Sequence, residues 1–311
     1  MAIVGIESVT YGVDDVVASV KFADDFGLTK EDQASAGATF RTQEGSLVNI
    51  RKSNDGALPP AIEGVPTIRE VVWGVDSAEQ LRGLAAALAN KHKVTQGSDG
   101  VVRLRDPDGL AIGLTVSKID RTRAFAPPSQ QPRVNRSIKE IPRAQPYHTG
   151  HVVFFTSSLE TTSRFYQDEL GFQVSDTYRG LGVFLRAEGA TNHHNLFLIK
   201  RDTPGVNHLS FRVEGLDELM VGKEYLESKG WRLVWGPGRH TVASDLFVYF
   251  DSPAGGLFEY HADEDCILDP SAWKPREWSP LEERVEVWGS HVPLEVITGV
   301  KPEPSSKSKG E

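Results

Sequence analysis

The sequence predicts an α+β protein of two domains, each a pair of strand–helix–strand–strand–strand modules. Three observations carry this. A pattern of about 50 residues recurs four times, the scale on which one supersecondary unit repeats. A polar, proline-containing stretch, SKIDRTRAFAPPSQQPRVNRSIKEIPRAQP, separates the four units two and two. A short β-rich run opens each unit and leads into an amphipathic helix.

The units can be read in order. SVTYGVDDVVASVKFADDFGL (8–28) and HVVFFTSSLETTSRFYQDELGF (151–172) each pass from an apolar run through a polar turn into a helix that ends at a glycine. In the second, Leu159, Thr162, Phe165, Tyr166 and Leu170 recur at near-helical spacing, and Gly171 supplies the cap. REVVWGVDSAEQLRGLAAAL (69–88) and NHLSFRVEGLDELMVGKEYL (207–226) again set a strand before a helix. RDPDGLAIGLTV (105–116) and FDSPAGGLFEYHA (250–262) close their halves as strand, Asp/Pro/Gly turn and strand. One such unit cannot bury both its helix and its sheet face, so units are expected to pair their sheets. The expected boundaries are an N-terminal domain at 1–118, a linker at 119–145, a C-terminal domain at 146–264 and an extension at 265–311. The tail of that extension, KPEPSSKSKGE, reads as disordered.

Composition narrows the function. The 311 residues are 39% hydrophobic and 25% charged, ordinary for a globular protein. A net charge of −9 argues against a nucleic-acid partner, which needs clustered Lys and Arg. The N-terminus shows no signal peptide, and no stretch approaches the roughly 18 apolar residues of a membrane span. The single Cys266 allows no intramolecular disulfide and suits a reducing cytoplasm. Of nine histidines, only His92 precedes residue 148. A histidine-based site therefore belongs to the C-terminal half.

Three residues there make a metal-binding set. His151 and His208 open the first strands of adjacent units, and Glu259 lies on the last strand of the second. Two units packed sheet to sheet would bring them together. A lone buried carboxylate costs several kcal/mol unless a cation or donor meets it. Two imidazoles and one carboxylate, without thiolate, suit Fe(II) or Mn(II) with open coordination positions, although zinc accepts the same residue types. The strand of HHNLFLIK offers no fourth carboxylate after His194. Aligned by hand, Ser8, Glu70 and Ile112 stand opposite His151, His208 and Glu259, so the N-terminal domain is expected to be a scaffold without metal. His194, His240 and Tyr249 are further candidates. A histidine near the metal suits acid–base work, and a tyrosine hydroxyl can donate to a developing oxyanion. His148, three residues before His151, and His261, two residues past Glu259, compete with the ligands by position.

Taken together, GHVVFF, HHNLFLI, VNHLSFRV, GPGRH, VYF and FEYHAD, in this order and spacing, resemble the type I extradiol ring-cleaving dioxygenases of the vicinal oxygen chelate superfamily, including the homoprotocatechuate and dihydroxybiphenyl 2,3-dioxygenase branches. The likeness covers nearly the whole chain. It implies the vicinal oxygen chelate fold, with His151, His208 and Glu259 holding Fe(II), or less often Mn(II). It implies that His194 stabilises activated oxygen and supplies a proton, and that His240 and Tyr249 bond the substrate oxygens. The implied partners are a small aromatic diol and O2, in cytoplasmic catabolism of aromatic hydrocarbons by a homo-oligomer. The C-terminal WGSHVP resembles a segment that closes over the site in some members. Alternatives within the fold are a dioxygenase of hydroquinones or hydroxylated heteroaromatics, a glyoxalase-like isomerase with four protein ligands, and a metal-free binding protein. A neutral or aryl-substituted catechol is expected, with Trp235, Arg186 and Arg239 deciding whether a carboxylate could be met.

Overall fold

The structure is a computed structural model and describes residues 3–119, 143–279, 282–293, 296, 297 and 299. Most of the expected linker and the tail from residue 300 lie outside the described residues. The chain forms two sheets and repeats one module four times.

The first module runs β1 (Ile3–Val13), α1 (Val16–Asp25), β2 (Thr29–Ala34), β3 (Gly37–Arg41) and β4 (Leu47–Lys52). The second runs β5 (Thr67–Val75), α2 (Ala78–Ala89), β6 (Thr95–Gln96), β7 (Val102–Arg105) and β8 (Ala111–Val116). The third runs β9 (His148–Thr156), α3 (Leu159–Arg164, continued by a π turn over Phe165–Glu169), β10 (Gln173–Tyr178), β11 (Gly182–Arg186) and β12 (Leu196–Lys200). The fourth runs β13 (Gly205–Arg212), α4 (Leu216–Ser228), β14 (Leu233–His240), β15 (Leu246–Asp251) and β16 (Leu257–Ala262). In every module the first strand lies parallel to the last. Modules join through antiparallel first strands, β1 with β5 and β9 with β13.

Local chemistry sets these elements. Asp15 and Ser77 accept N–H bonds from Ala18 and Gln80 at the starts of α1 and α2, satisfying donors the helices leave free. Gly27 and Gly171 follow the helices of the first and third modules at φ +96° and +76°. That is the left-handed turn which glycine adopts without strain. A Cβ on Gly27 would also meet the Ala144 carbonyl oxygen at 1.8 Å.

The extension contributes two edge strands to the second sheet. β17 (Arg276–Trp278) pairs with β10, and β18 (Glu286–Trp288) pairs with β14. The second sheet therefore runs β17-β10-β11-β12-β9-β13-β16-β15-β14-β18, with β9, β13 and β16 near its middle.

The two halves share a continuous hydrophobic core. Phe26 stacks on Tyr260 at 4.0 Å between ring centroids, and the Tyr260 hydroxyl donates to the Phe26 carbonyl at 2.6 Å. Phe258, fully buried, meets Tyr11, Phe22 and Phe26 from the first half. Burying one such ring contributes about 1.5–3 kcal/mol.

A polar contact also crosses between the halves. Asp106 accepts the Asp108 and Leu110 N–H groups and the Tyr166 hydroxyl. Burial pushes its carboxyl up to about 7, and the charge of nearby Asp108 adds to the rise. The folded chain therefore holds a proton that the unfolded chain releases above its ordinary value of 3.8. This contribution to stability is full below that value and is lost as pH rises through about 7. Between the two, stability should fall by up to about 1.4 kcal/mol per pH unit from this group. Urea unfolding across that range should show the slope in the native chain and its removal in Asp106→Asn. Equal slopes in both would refute the assignment.

Candidate metal centre

Strand register brings the ligand candidates together. On β9 and β13, His151 stands opposite Ser210; on β13 and β16, Ser210 stands opposite Glu259. His208 sits two residues before Ser210, on the same face. A register shift between Val206 and His208 makes Asn207 an extra residue in the strand, a bulge that re-aims neighbouring side chains.

The result is a compact triangle. His151 Nε2 lies 3.2 Å from His208 Nε2 and 3.1 Å from Glu259 Oε2, and His208 Nε2 lies 3.4 Å from the same oxygen. Ligand atoms bound at about 2.1 Å and at right angles around one ion sit about 3 Å apart. All three side chains are buried, Glu259 fully. Neither Glu259 oxygen has a hydrogen-bond partner, and neither does His151 Nδ1. A buried carboxylate in that state fits a cation.

Protonation suits binding. Burial pulls His208 down to about 4 against the opposing pull of Glu259, so its imidazole is neutral near pH 7. Burial pushes Glu259 up, but the imidazoles of His151, His208 and His240 close beside it outweigh that and hold it well below the carboxylate range. Asn207 Oδ1 lies 2.6 Å from His208 Nδ1, and Asn207 Nδ2 donates to the Val296 carbonyl. With its amide turned this way, Asn207 accepts a hydrogen bond from Nδ1–H and leaves Nε2 bare, as a metal ligand would need. The sequence reading missed Asn207; its one sign was an amide residue immediately before a candidate ligand histidine.

The two rivals fall elsewhere. His261 Nδ1 bonds the Ser210 hydroxyl at 2.7 Å, and the residue does not border the cavity. Its nitrogen does come within 4.8 Å of the His151 and Glu259 ligand atoms, a looser group than the triangle with His208. His148 is paired at 3.8 Å with Glu44.

Above the triangle lies a cavity of about 390 Å³, bordered by His151 and His208. Phe197 and Ile199 of β12 face it, while Leu196 and Leu198 face the core, so β12 supplies no fourth ligand. Tyr178, Leu181, Phe184 and Val153 add to the apolar wall. Trp235 lines the cavity, stacked on Tyr249 at 5.2 Å, and its Nε1 donates to the Ser290 carbonyl. Val292, Val296 and Ile297 also face the cavity, so the stretch after WGS forms part of its wall.

All three further candidates border the same cavity. His194 is buried, with its ring 4.1 Å from that of His151. Burial, then the neighbouring His151 and His193, pulls it well below the usual histidine value. His240 Nε2 lies 3.0 Å from the Tyr249 hydroxyl and 3.7 Å from Glu259 Oε1. His240 ends β14, which the register shift between Trp235 and Gly238 bends. Burial first, then Glu259, raises the Tyr249 hydroxyl above its ordinary value, so it stays a donor.

Neither arginine reaches the cavity. Arg186 is held by Gln173, Val174 and Ser175, and Arg239 by Ser244 and Asp263. Asp245 does border it, buried, and is pushed well above the carboxylate range by burial and then by Glu259 and Glu264. Nothing in the periodicity of the sequence marked Asp245.

The first sheet shows what the site is not. With Ser8 opposite Val72 and Glu70 opposite Ala111, the position matching Glu259 is Gly113, not Ile112. The hand alignment was one residue out, which in a strand exchanges the faces; Ile112 points into the core. The concavity there is larger, about 960 Å³, but Arg103 pairs with Glu70 and Asp99, and among the described residues no metal-ligating group converges there.

Residues 148–260 match the family described as the Glyoxalase/Bleomycin resistance protein/Dioxygenase superfamily. Metapyrocatechase 2 of Cupriavidus necator is 32% identical over 222 residues, 69% of this chain and 68% of that protein. The iron-dependent extradiol dioxygenase of Rhodococcus jostii (strain RHA1) is 31% identical over 45% of this chain and 49% of its own. The solved homoprotocatechuate 2,3-dioxygenase of Arthrobacter globiformis has the same fold, with a TM-score of 0.76 at 17% identity, covering 96% of this chain and 91% of that one.

Proposed function

Because the chain belongs to the extradiol dioxygenases of the Glyoxalase/Bleomycin resistance protein/Dioxygenase superfamily, we propose that it opens the ring of a neutral catechol bearing an apolar alkyl or aryl group. The observation that carries this is the buried His151, His208 and Glu259 triangle at the base of an apolar cavity. These residues would hold Fe(II), with Mn(II) the alternative. When bound, the ion supplies a chelation point for two adjacent ring oxygens and a path for electrons from the ring to O2.

The chain's own residues do the rest. His240 and Tyr249 stand side by side at the cavity wall, where each can donate to a catechol oxygen. His194 enters neutral and borders the cavity, so it can take a proton from the substrate and return it. Phe184, Phe197 and Ile199 exclude water and fit an apolar ring substituent. A cytoplasmic, homo-oligomeric enzyme is part of the same reading, supported by the single Cys266 and by the family likeness. Among the described residues no helix is long and apolar enough to cross a membrane.

The test is anaerobic reconstitution with Fe(II), and in parallel Mn(II), followed by a catechol panel with absorbance and oxygen uptake recorded together. One O2 consumed per catechol, with a yellow ring-opened product, is expected. Stoichiometric metal without reaction on any catechol would overturn the substrate class. His194→Phe should keep metal and catechol affinity while turnover falls by about 100-fold or more, the usual scale of acid–base assistance. Wild-type turnover in that variant would remove His194 from the mechanism.

A further inference from the structure

We propose that Asp176 is a positioning residue for His194, acting through His193 to set which nitrogen of His194 carries the proton. The inference rests on the role given above to His194. Asp176 lies on β10 and is buried; its Oδ1 accepts the Arg276 N–H at 2.7 Å, and its Oδ2 accepts the Trp278 indole N–H at 3.0 Å. The same Oδ2 lies 3.3 Å from His193 Nε2. His193 has no solvent exposure, and its Nδ1 lies 3.2 Å from His194 Nδ1.

The proton arrangement follows by elimination. A carboxylate only accepts, so His193 Nε2 carries a hydrogen. Taken with one hydrogen, His193 has a bare lone pair at Nδ1. It can face His194 Nδ1 at that distance only if His194 Nδ1 carries the hydrogen. The nitrogen left to the cavity is then His194 Nε2, an acceptor ready for a substrate hydroxyl proton. Glu264 Oε1, 3.6 Å from His194 Nδ1, is too far for a hydrogen bond but favours the same form.

Asp176 is suited to this work. Burial pushes its carboxyl up, yet the bonds from His193, the Arg276 N–H and the Trp278 N–H outweigh that and keep it ionised. Trp273 and Phe184 pack edge-on against His193 and hold its ring in place. Two of the groups that fix Asp176, Arg276 and Trp278, belong to β17 of the extension. The extension therefore takes part in setting the histidine beside the candidate metal site.

The decisive variant is Asp176→Asn, compared with Asp176→Glu and Trp278→Phe. An asparagine amide can donate to His193 Nε2, which moves the hydrogen to His193 Nδ1 and forces it onto Nε2 of His194. Such wrong-tautomer effects follow when an amide replaces the carboxylate that orients a catalytic histidine. The ¹⁵N shifts of His194 in the native protein should show a protonated Nδ1 and a bare Nε2. In Asp176→Asn they should exchange, with kcat down about 10- to 100-fold and KM little changed. Asp176→Glu should recover much of the loss. Trp278→Phe, which removes one donor to Asp176 but leaves the carboxylate, should keep the tautomer and cost less in kcat than Asp176→Asn. An unchanged His194 tautomer in Asp176→Asn would overturn the proposal, as would equal losses in Asp176→Asn and Trp278→Phe. An exchanged tautomer with wild-type kcat would instead overturn the role of His194 and leave the relay standing.

Discussion

Replacing His208 with alanine should remove metal and activity together. The substitution deletes one corner of a triangle whose other atoms lie 3.2 and 3.4 Å away. It also leaves Asn207 without the imidazole it orients. Loss of a partner that merely orients a ligand costs 10- to 100-fold in metal affinity, so loss of the ligand should cost more than about 100-fold. Metal content after dialysis and initial rates with saturating catechol measure the two effects separately. The fold should survive, because His208 faces the cavity while Leu209 and Phe211 face the core. A variant that kept both full metal and full rate would refute the ligand assignment.

The second large effect concerns charge on the substrate. Alkyl- and aryl-substituted catechols should exceed carboxylated ones in kcat/KM by at least about 100-fold, or about 2.7 kcal/mol. A carboxylate carried into this cavity would meet Phe184, Phe197, Ile199 and Val242, and no guanidinium among the described residues. Arg186 and Arg239 are committed to partners outside it. Bringing an ion out of water without a partner costs several kcal/mol, which sets the scale of the discrimination. Competition between an alkylcatechol and its carboxylated counterpart, followed by oxygen uptake and product absorbance, reads the ratio directly. Preference for the carboxylated compound would sink the proposed substrate class.

What could be read beforehand follows from how each feature is encoded. The four modules were visible because each writes its strand and helix periods into a short stretch of chain. Glu259 stood out because an acidic residue inside GGLFEYHA has few bland explanations. The match of Glu259 to Gly113 was not visible, since a strand's register depends on its neighbours and a slip of one residue leaves the local pattern unchanged. Asn207, Asp176 and Asp245 were missed for another reason. Each is an ordinary polar residue until folding sets it against a histidine or a cavity wall. The edge strands Arg276–Trp278 and Glu286–Trp288 are three residues each, too short to show a period.

The join between β9 and β13 has a consequence for ancestry. His151 comes from the third module, while His208 and Glu259 come from the fourth, so neither module holds the full donor set. If the modules descend from one duplicated unit, that unit acting alone had no such centre, and only its fusion or pairing could create one. The first pair kept the same join yet carries Ser8, Glu70 and Gly113 at the matching places. Inheritance of the scaffold and inheritance of the chemistry are thus separable, and a chain of this kind can drift at one join while selection holds the other.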